Sequence, residues 1–241
     1  NRFEINDWGM KFNEIINILN SLNSILIPVL LGTKENHENA IHIYLPQSQT
    51  TWIYLNLDTK IFDFKFWLSH ELGHILTPKL SGEEAENFAD NFAGSFLFPE
   101  ELAKRKYYEV RNLKKMSDKI NSIISTAYDL IISPITIFKE LNKYADKQKL
   151  QKVDLGKTFY AATNKFTYAY SLVSELLLGS GNHEVEKYIQ VSEDKFETIF
   201  FNLLRKYNNK LGLTPSFIRS ILNVPIIDSK EIYTYLTNAP D

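Results

Sequence analysis

The run His70-Glu71-Leu72-Gly73-His74 holds the residue types and the spacing that can do chemistry. Two histidines four apart, with a glutamate directly after the first, form an H-E-x-x-H pattern. The apolar residues from Phe62 to Leu76 recur at helical spacing. On a helix, residues four apart stand one turn above each other on the same face, so His70 and His74 can hold one metal ion together. Glu71 falls about 100° round the helix from His70. There it reaches a water on the metal rather than the metal itself. The implied chemistry is metal-assisted hydrolysis with Glu71 as general base.

A catalytic metal needs a third protein ligand and an open position. The stretch Ser81-Gly82-Glu83-Glu84-Ala85-Glu86-Asn87-Phe88-Ala89-Asp90 offers the candidates. Glu86 is preferred, with Glu83 and Glu84 as alternatives. Four residues on from Glu86, Asp90 shares its helix face, suited to accept the outer N–H of a ligating histidine and fix its tautomer. Ala89 and Ala93 would let this helix lie close to the metal helix. Ser81 and Glu84 fit a capping box, and acids in a first turn favour the helix dipole, which explains Glu83 and Glu84 without metal. Gly73 costs about 1 kcal/mol against alanine in mid-helix, so a close approach of another backbone is expected there. The two histidines, a glutamate and an acidic helix set within a Phe- and Trp-rich segment argue against coincidence, since an uncompensated buried Glu71 would be costly. Zn²⁺ suits a His/His/Glu donor set, and Mn²⁺ can occupy N/O sites when abundant.

Together, His70-Glu71-Leu72-Gly73-His74 and the later series Glu86, Ala89-Asp90, Phe92-Ala93, Phe96-Leu97 and Pro99 resemble the ImmA/IrrE family of metallopeptidases. The usual form has Asn where Asp90 stands and Leu where Phe96 stands. The clear motifs cover residues 70–99, and a looser likeness runs from about 10 to 145. The resemblance implies a thermolysin-like, zincin-like core, α+β and mostly helical, with a small three-stranded sheet. It also implies action on helix-turn-helix repressors or similar regulators in stress, phage or mobile-element responses. The strand at Thr51–Leu57 is expected to lie nearest the site and to pair with an extended substrate through main-chain hydrogen bonds. A protein that grips a repressor or antitoxin-like partner without cutting it is the second reading, and the intact Glu71 favours catalysis over it. Tyr54, Tyr107 and Tyr108 are candidates for the oxyanion donor.

Positioning those residues requires a scaffold, and its elements can be traced in order. Residues 7–23 have helical spacing with Asp7 at the start, followed by strands at Ser24–Leu31, Ala40–Leu45 and Thr51–Leu57. Asp58 and Thr59 are candidate caps for the metal helix, and Pro78 and Pro99 are stops. Residues 103–119 are rich in Lys and Arg, most simply a solvated helix face rather than a nucleic-acid contact. A helix-turn-helix-like segment spans 117–145, with Ser133-Pro134 as N-cap and first helical residue. It has few basic side chains to offer bases, and plain packing is the simpler role. A boundary is expected near Asp146–Lys152. It divides a metallopeptidase domain, 1–146, from a helical part, 147–241, with helices at Phe159–Leu178 and Glu193–Lys210, and short ones begun by Thr214-Pro215 and Ser229. His37, His42 and His183 lie outside the motif.

The chain has 241 residues, 44% of them hydrophobic and 13% aromatic, enough for one large or two small cores. Its net charge of −2 gives no global reason for nucleic-acid or anionic-membrane binding. There is no cysteine, which excludes disulfides, thiol catalysis and Cys-ligated zinc and suits the cytoplasm, the expected location. No apolar run approaches the roughly 20 residues of a membrane span. The chain opens at Asn1 rather than methionine, which leaves room for an upstream segment.

Overall fold

The computed structural model describes residues 11–32, 39–181, 184–223 and 226–238. The expected helix start at Asp7, and His37 and His183, lie outside them. The described residues form an α+β structure of twelve helices and one small mixed sheet. Helix α1 (Phe12–Ser21) precedes β1 (Ser24–Val29), β2 (Ala40–Leu45) and β3 (Thr50–Asn56). The helices α2 (Ile61–Leu76), α3 (Gly82–Leu97), α4 (Glu100–Asn112), α5 (Met116–Leu130), α6 (Pro134–Lys147) and α7 (Gly156–Tyr168) follow. The chain closes with α8 (Val173–Leu178), α9 (Val185–Phe196), α10 (Phe200–Leu211), α11 (Pro215–Leu222) and α12 (Ile226–Asn238). No single helix among the described residues is long and apolar enough to cross a membrane.

The chain divides into two compact units that are not consecutive in sequence. One takes Lys60–Ser171 with the described residues up to 15, and the other takes Ile16–Thr59 with the chain from Leu172 on. This grouping differs from a division at 146/147. The Asn142 side chain accepts from the Val153 N–H at 2.8 Å and donates to its carbonyl at 3.1 Å, so the polar run after α6 folds back onto it. Phe159 then packs on Phe138, and Phe166 on Phe62 and Tyr128.

In the first unit, α2 and α3 carry the motif residues. Neither has the side-chain cap that its sequence suggests. Lys60 is the N-cap of α2, and Ser81, at the α3 N-cap, makes no side-chain cap bond, so no capping box with Glu84 forms. Asp58 and Thr59 are used elsewhere: Asp58 accepts from the Gly32 N–H and the Ser174 hydroxyl, and Thr59 donates to Asn39. At α6 the expected cap is present, with Ser133 accepting the Ile135 N–H and Pro134 opening the helix. Helices α5 and α6 meet at 114°, within the range of helix-turn-helix pairs. A recognition helix must present a face to the groove. Helix α6 instead buries Ile137, Leu141, Tyr144 and Ala145 and packs against α3, α4 and α5.

The second unit holds the sheet, in the order β1-β3-β2. Strand β3 pairs in parallel with β1 and antiparallel with β2. It is therefore central and has no open edge for a substrate strand, which corrects the expectation for Thr51–Leu57. The sequence shows the three strands but not their order, because pairing is set by contacts distant along the chain. Ile25, Ile27 and Val29 of β1 share a core with Tyr188, Ile189, Phe200 and Phe201 from the C-terminal helices. Two helices expected to be continuous are broken. After the break that follows α7, Val173 and Ser174 at the start of α8 turn their N–H groups to the carbonyls of Thr59 and Leu57, at 2.9 and 2.8 Å. Between α9 and α10, Glu197 takes a left-handed φ of 51°, and the Thr198 hydroxyl donates to the Leu26 carbonyl. Thr214 caps α11 as expected, whereas Ser229 lies buried inside α12 rather than at its start.

Candidate metal centre

Helix α2 is apolar nearly all round, and its His70, Glu71 and His74 are buried, at 3%, 3% and 8% exposure. Its glycine has the role expected of it. A Cβ on Gly73 would stand 3.0 Å from the Cα and 3.4 Å from the Cβ of Ala89, and 3.3 Å from a ring carbon of Phe92. Ala85, Ala89 and Ala93 are buried along α3. This close seam brings Glu86 and Asp90 over the two histidines.

The donor atoms converge. His70 Nε2 lies 3.0 Å from His74 Nε2 and 3.3 Å from a Glu86 carboxylate oxygen, and the other Glu86 oxygen lies 3.4 Å from His74 Nε2. A tetrahedral ion with ligand bonds of 2.0–2.1 Å separates its ligand atoms by about 3.3–3.4 Å. His70, His74 and Glu86 could therefore hold a metal ion. Glu83 and Glu84 are not in this group, and first-turn acids need no other role than the dipole.

The donor chemistry fits as well. His70 Nδ1 lies 2.9 Å from Asp90 Oδ1. When Asp90 accepts the Nδ1 proton, the neutral ring turns a lone pair at Nε2 toward the second imidazole and the carboxylate. Three electron-rich atoms facing one another at this range are reconciled by a shared cation. The rings of Trp67 and Phe66 pack beside His70, with centroids at 5.0 and 6.3 Å. The α3 side differs: the Glu86 and Asp90 side chains are 63% and 58% exposed. The centre is apolar on one wall and open to water on the other.

Lys65 had no signal in the sequence, because a lysine on a helix ordinarily reads as solvated. It is 1% exposed, donates to the Leu130 carbonyl at the end of α5 at 2.8 Å, and lies 5.7 Å from the Phe12 ring centroid. Burial pushes its pKa down to about 8, against an opposing pull from the Glu14 carboxylate. Five residues before His70, it ties the metal helix to α5. Of the oxyanion candidates, Tyr107 is buried, donates to the Gln151 carbonyl and clusters with Tyr108 and Tyr144. Tyr54 is half-buried in the second unit, and burial raises its pKa.

No family model matches the chain, and no curated protein or solved structure matches it.

Proposed function

We propose that the chain is a zinc-dependent endopeptidase of the ImmA/IrrE type, with a zincin-like core, acting in the cytoplasm. Its substrate would be a helix-turn-helix repressor or similar regulator in a stress, phage or mobile-element response. The observation that carries this reading is the convergence within 3.4 Å of His70 and His74 on α2 with Glu86 on α3, where α2 also carries a buried Glu71.

A bound Zn²⁺, or Mn²⁺ in its place, supplies Lewis acidity that makes water a nucleophile near neutral pH. His70, His74 and Glu86 would hold it. Asp90 would fix the His70 tautomer so that Nε2 points inward. Glu71 would take the proton of the attacking water and pass it to the leaving amine.

The test combines elemental analysis of wild type and Glu86→Gln with cleavage of co-expressed candidate repressors, using Glu71→Gln as control. The expected result is one zinc per chain, less in Glu86→Gln, and cleavage lost in Glu71→Gln. Stoichiometric zinc with capture but no cleavage, in wild type and Glu71→Gln alike, would make the protein a binder. Absence of metal would sink the centre itself.

A further inference from the structure

Acids and bases nearly balance over the whole chain, 29 against 27, but they are not evenly spread. No Asp or Glu occurs from Thr198 to Ile227, while Arg205, Lys206, Lys210 and Arg219 all fall within that run. The run contains α10 and α11 of the second unit. Both helices are amphipathic, and their inner faces are anchored. Phe200, Phe201 and Leu204 of α10, with Ile218 and Leu222 of α11, are buried in the core shared with β1.

That anchoring decides what faces water. On α10, Tyr207 and Leu211 stand one turn apart, 51% and 69% exposed, beside the exposed pair Lys206 and Lys210. The helix closes at Gly212, whose left-handed φ of 58° turns the chain. Thr214 then accepts the Phe217 N–H at 3.3 Å and opens α11. Phe217, in the first turn of α11, is 42% exposed, and Arg219 is exposed two residues on. Arg205 is half-buried against Glu193, at 3.0 Å. The outward cations of the two helices are therefore Lys206, Lys210 and Arg219.

We propose that the α10–α11 turn is a membrane-surface contact, which rests on the anionic headgroups of a lipid bilayer. Tyr207, Leu211 and Phe217 would dip into the interface, with Lys206, Lys210 and Arg219 among the lipid phosphates. The chemistry of the patch selects this occupant. Cations on amphipathic helices, with no acid along the run, complement an anionic leaflet. The phosphates of a nucleic acid would satisfy the same cations but offer nothing to a leucine that is 69% exposed. The apolar side chains protrude, and a fluid bilayer accepts protrusions where a protein partner must supply a matching pocket. Tyrosine and lysine suit headgroup depth, each with an apolar body and a polar tip. The contact is reversible, because each cation near such a surface contributes only a factor of about five. This inference does not rest on the peptidase reading.

Vesicle co-sedimentation of the full chain tests it. The protein should pellet with vesicles of phosphatidylcholine and phosphatidylglycerol and stay in solution with phosphatidylcholine alone. Raising salt from about 0.05 M to about 0.5 M should release it. Lys206→Gln combined with Lys210→Gln should lower the partition coefficient about 25-fold, and Leu211→Asn about tenfold. Lys157→Gln combined with Lys165→Gln, the same charge change on exposed lysines of α7, should leave it unchanged. All these side chains are exposed, so thermal melts of the variants should match wild type. Equal binding to neutral vesicles, binding to neither kind, or an equal loss in the α7 variant overturns the proposal. Binding to duplex DNA but not to anionic vesicles, lost in the Lys206 and Lys210 variant and kept in Leu211→Asn, would overturn it in favour of a nucleic-acid contact. None of these outcomes bears on zinc content or cleavage.

Discussion

The backbone of Ala89 occupies the space in which a side chain on Gly73 would begin: a Cβ there would stand 3.0 Å from the Ala89 Cα. The neighbour is backbone, not the end of a long side chain, so it gives way little. Gly73→Ala should gain about 1 kcal/mol of helix propensity and lose about 1–3 kcal/mol to overpacking. Gly73→Val should lose more. Because α3 carries Glu86, metal affinity should fall in step with thermal stability across Gly, Ala and Val. Competition titration with a zinc chelator, beside thermal melts, checks this. Unchanged affinity in Gly73→Val would separate the seam from the centre.

Asp90 touches no metal-facing atom of His70, so its effect should appear in affinity rather than stoichiometry. Removing the partner of a ligating histidine typically costs 10–100-fold in metal affinity. Asp90→Ala should fall in that range and still bind one ion when saturated. Asp90→Asn, which can still accept the Nδ1 proton through its amide oxygen, should lose less. Equal losses in the two variants would argue that charge, not tautomer, is what Asp90 provides.

Lys65 makes stability depend on alkaline pH. Its folded pKa of about 8 lies below the ordinary 10.5, so the fold disfavours the charged form. The penalty is full below pH 8 and is relieved as pH rises from 8 toward 10.5. In that window the unfolded chain holds one more proton at this site, and stability should climb by about 1.4 kcal/mol per pH unit, to about 3 kcal/mol in total. Tyrosines also titrate there, so the measurement is the difference between wild type and Lys65→Met in urea unfolding across the window. Parallel stability curves would show that Lys65 keeps its ordinary proton affinity.

The centre was legible in the sequence because it is local. His70, Glu71 and His74 sit within one turn and a half of helix, and Glu86 and Asp90 share a face of the next helix, so 3.6-residue periodicity gathers the donors of each helix, and the Gly73–Ala89 seam brings the two sets together. The strands were legible for the same reason. Their order was not: Ser24 pairs with Thr51 and Ala40 with Leu55, and nothing within either strand encodes its neighbour. The grouping of residues 147–171 with the metal helices hangs on Asn142 reaching Val153 and on Phe166 reaching Phe62. The break after Phe196 sits at a glutamate in a left-handed conformation, where composition gives no glycine to announce it.

Glu140 should weaken the fold at neutral pH. It reaches from α6 toward α3, where a Cβ on Gly94 would stand 2.5 Å from its carboxylate, and it accepts from the Ser95 hydroxyl at 3.2 Å. Burial raises its pKa, against the opposing effects of Lys143 and Ser95. A carboxyl whose folded pKa is raised contributes stability that is full below its unfolded value and is lost as pH rises through the folded one. Glu140→Gln, which keeps the size and the acceptor, should therefore be more stable than wild type at pH 7 and lose that advantage below pH 4. Urea midpoints of the two proteins at both pH values decide it. A Glu140→Gln protein less stable at pH 7 would mean that the Lys143 ion pair, 3.6 Å long, outweighs the burial of the charge.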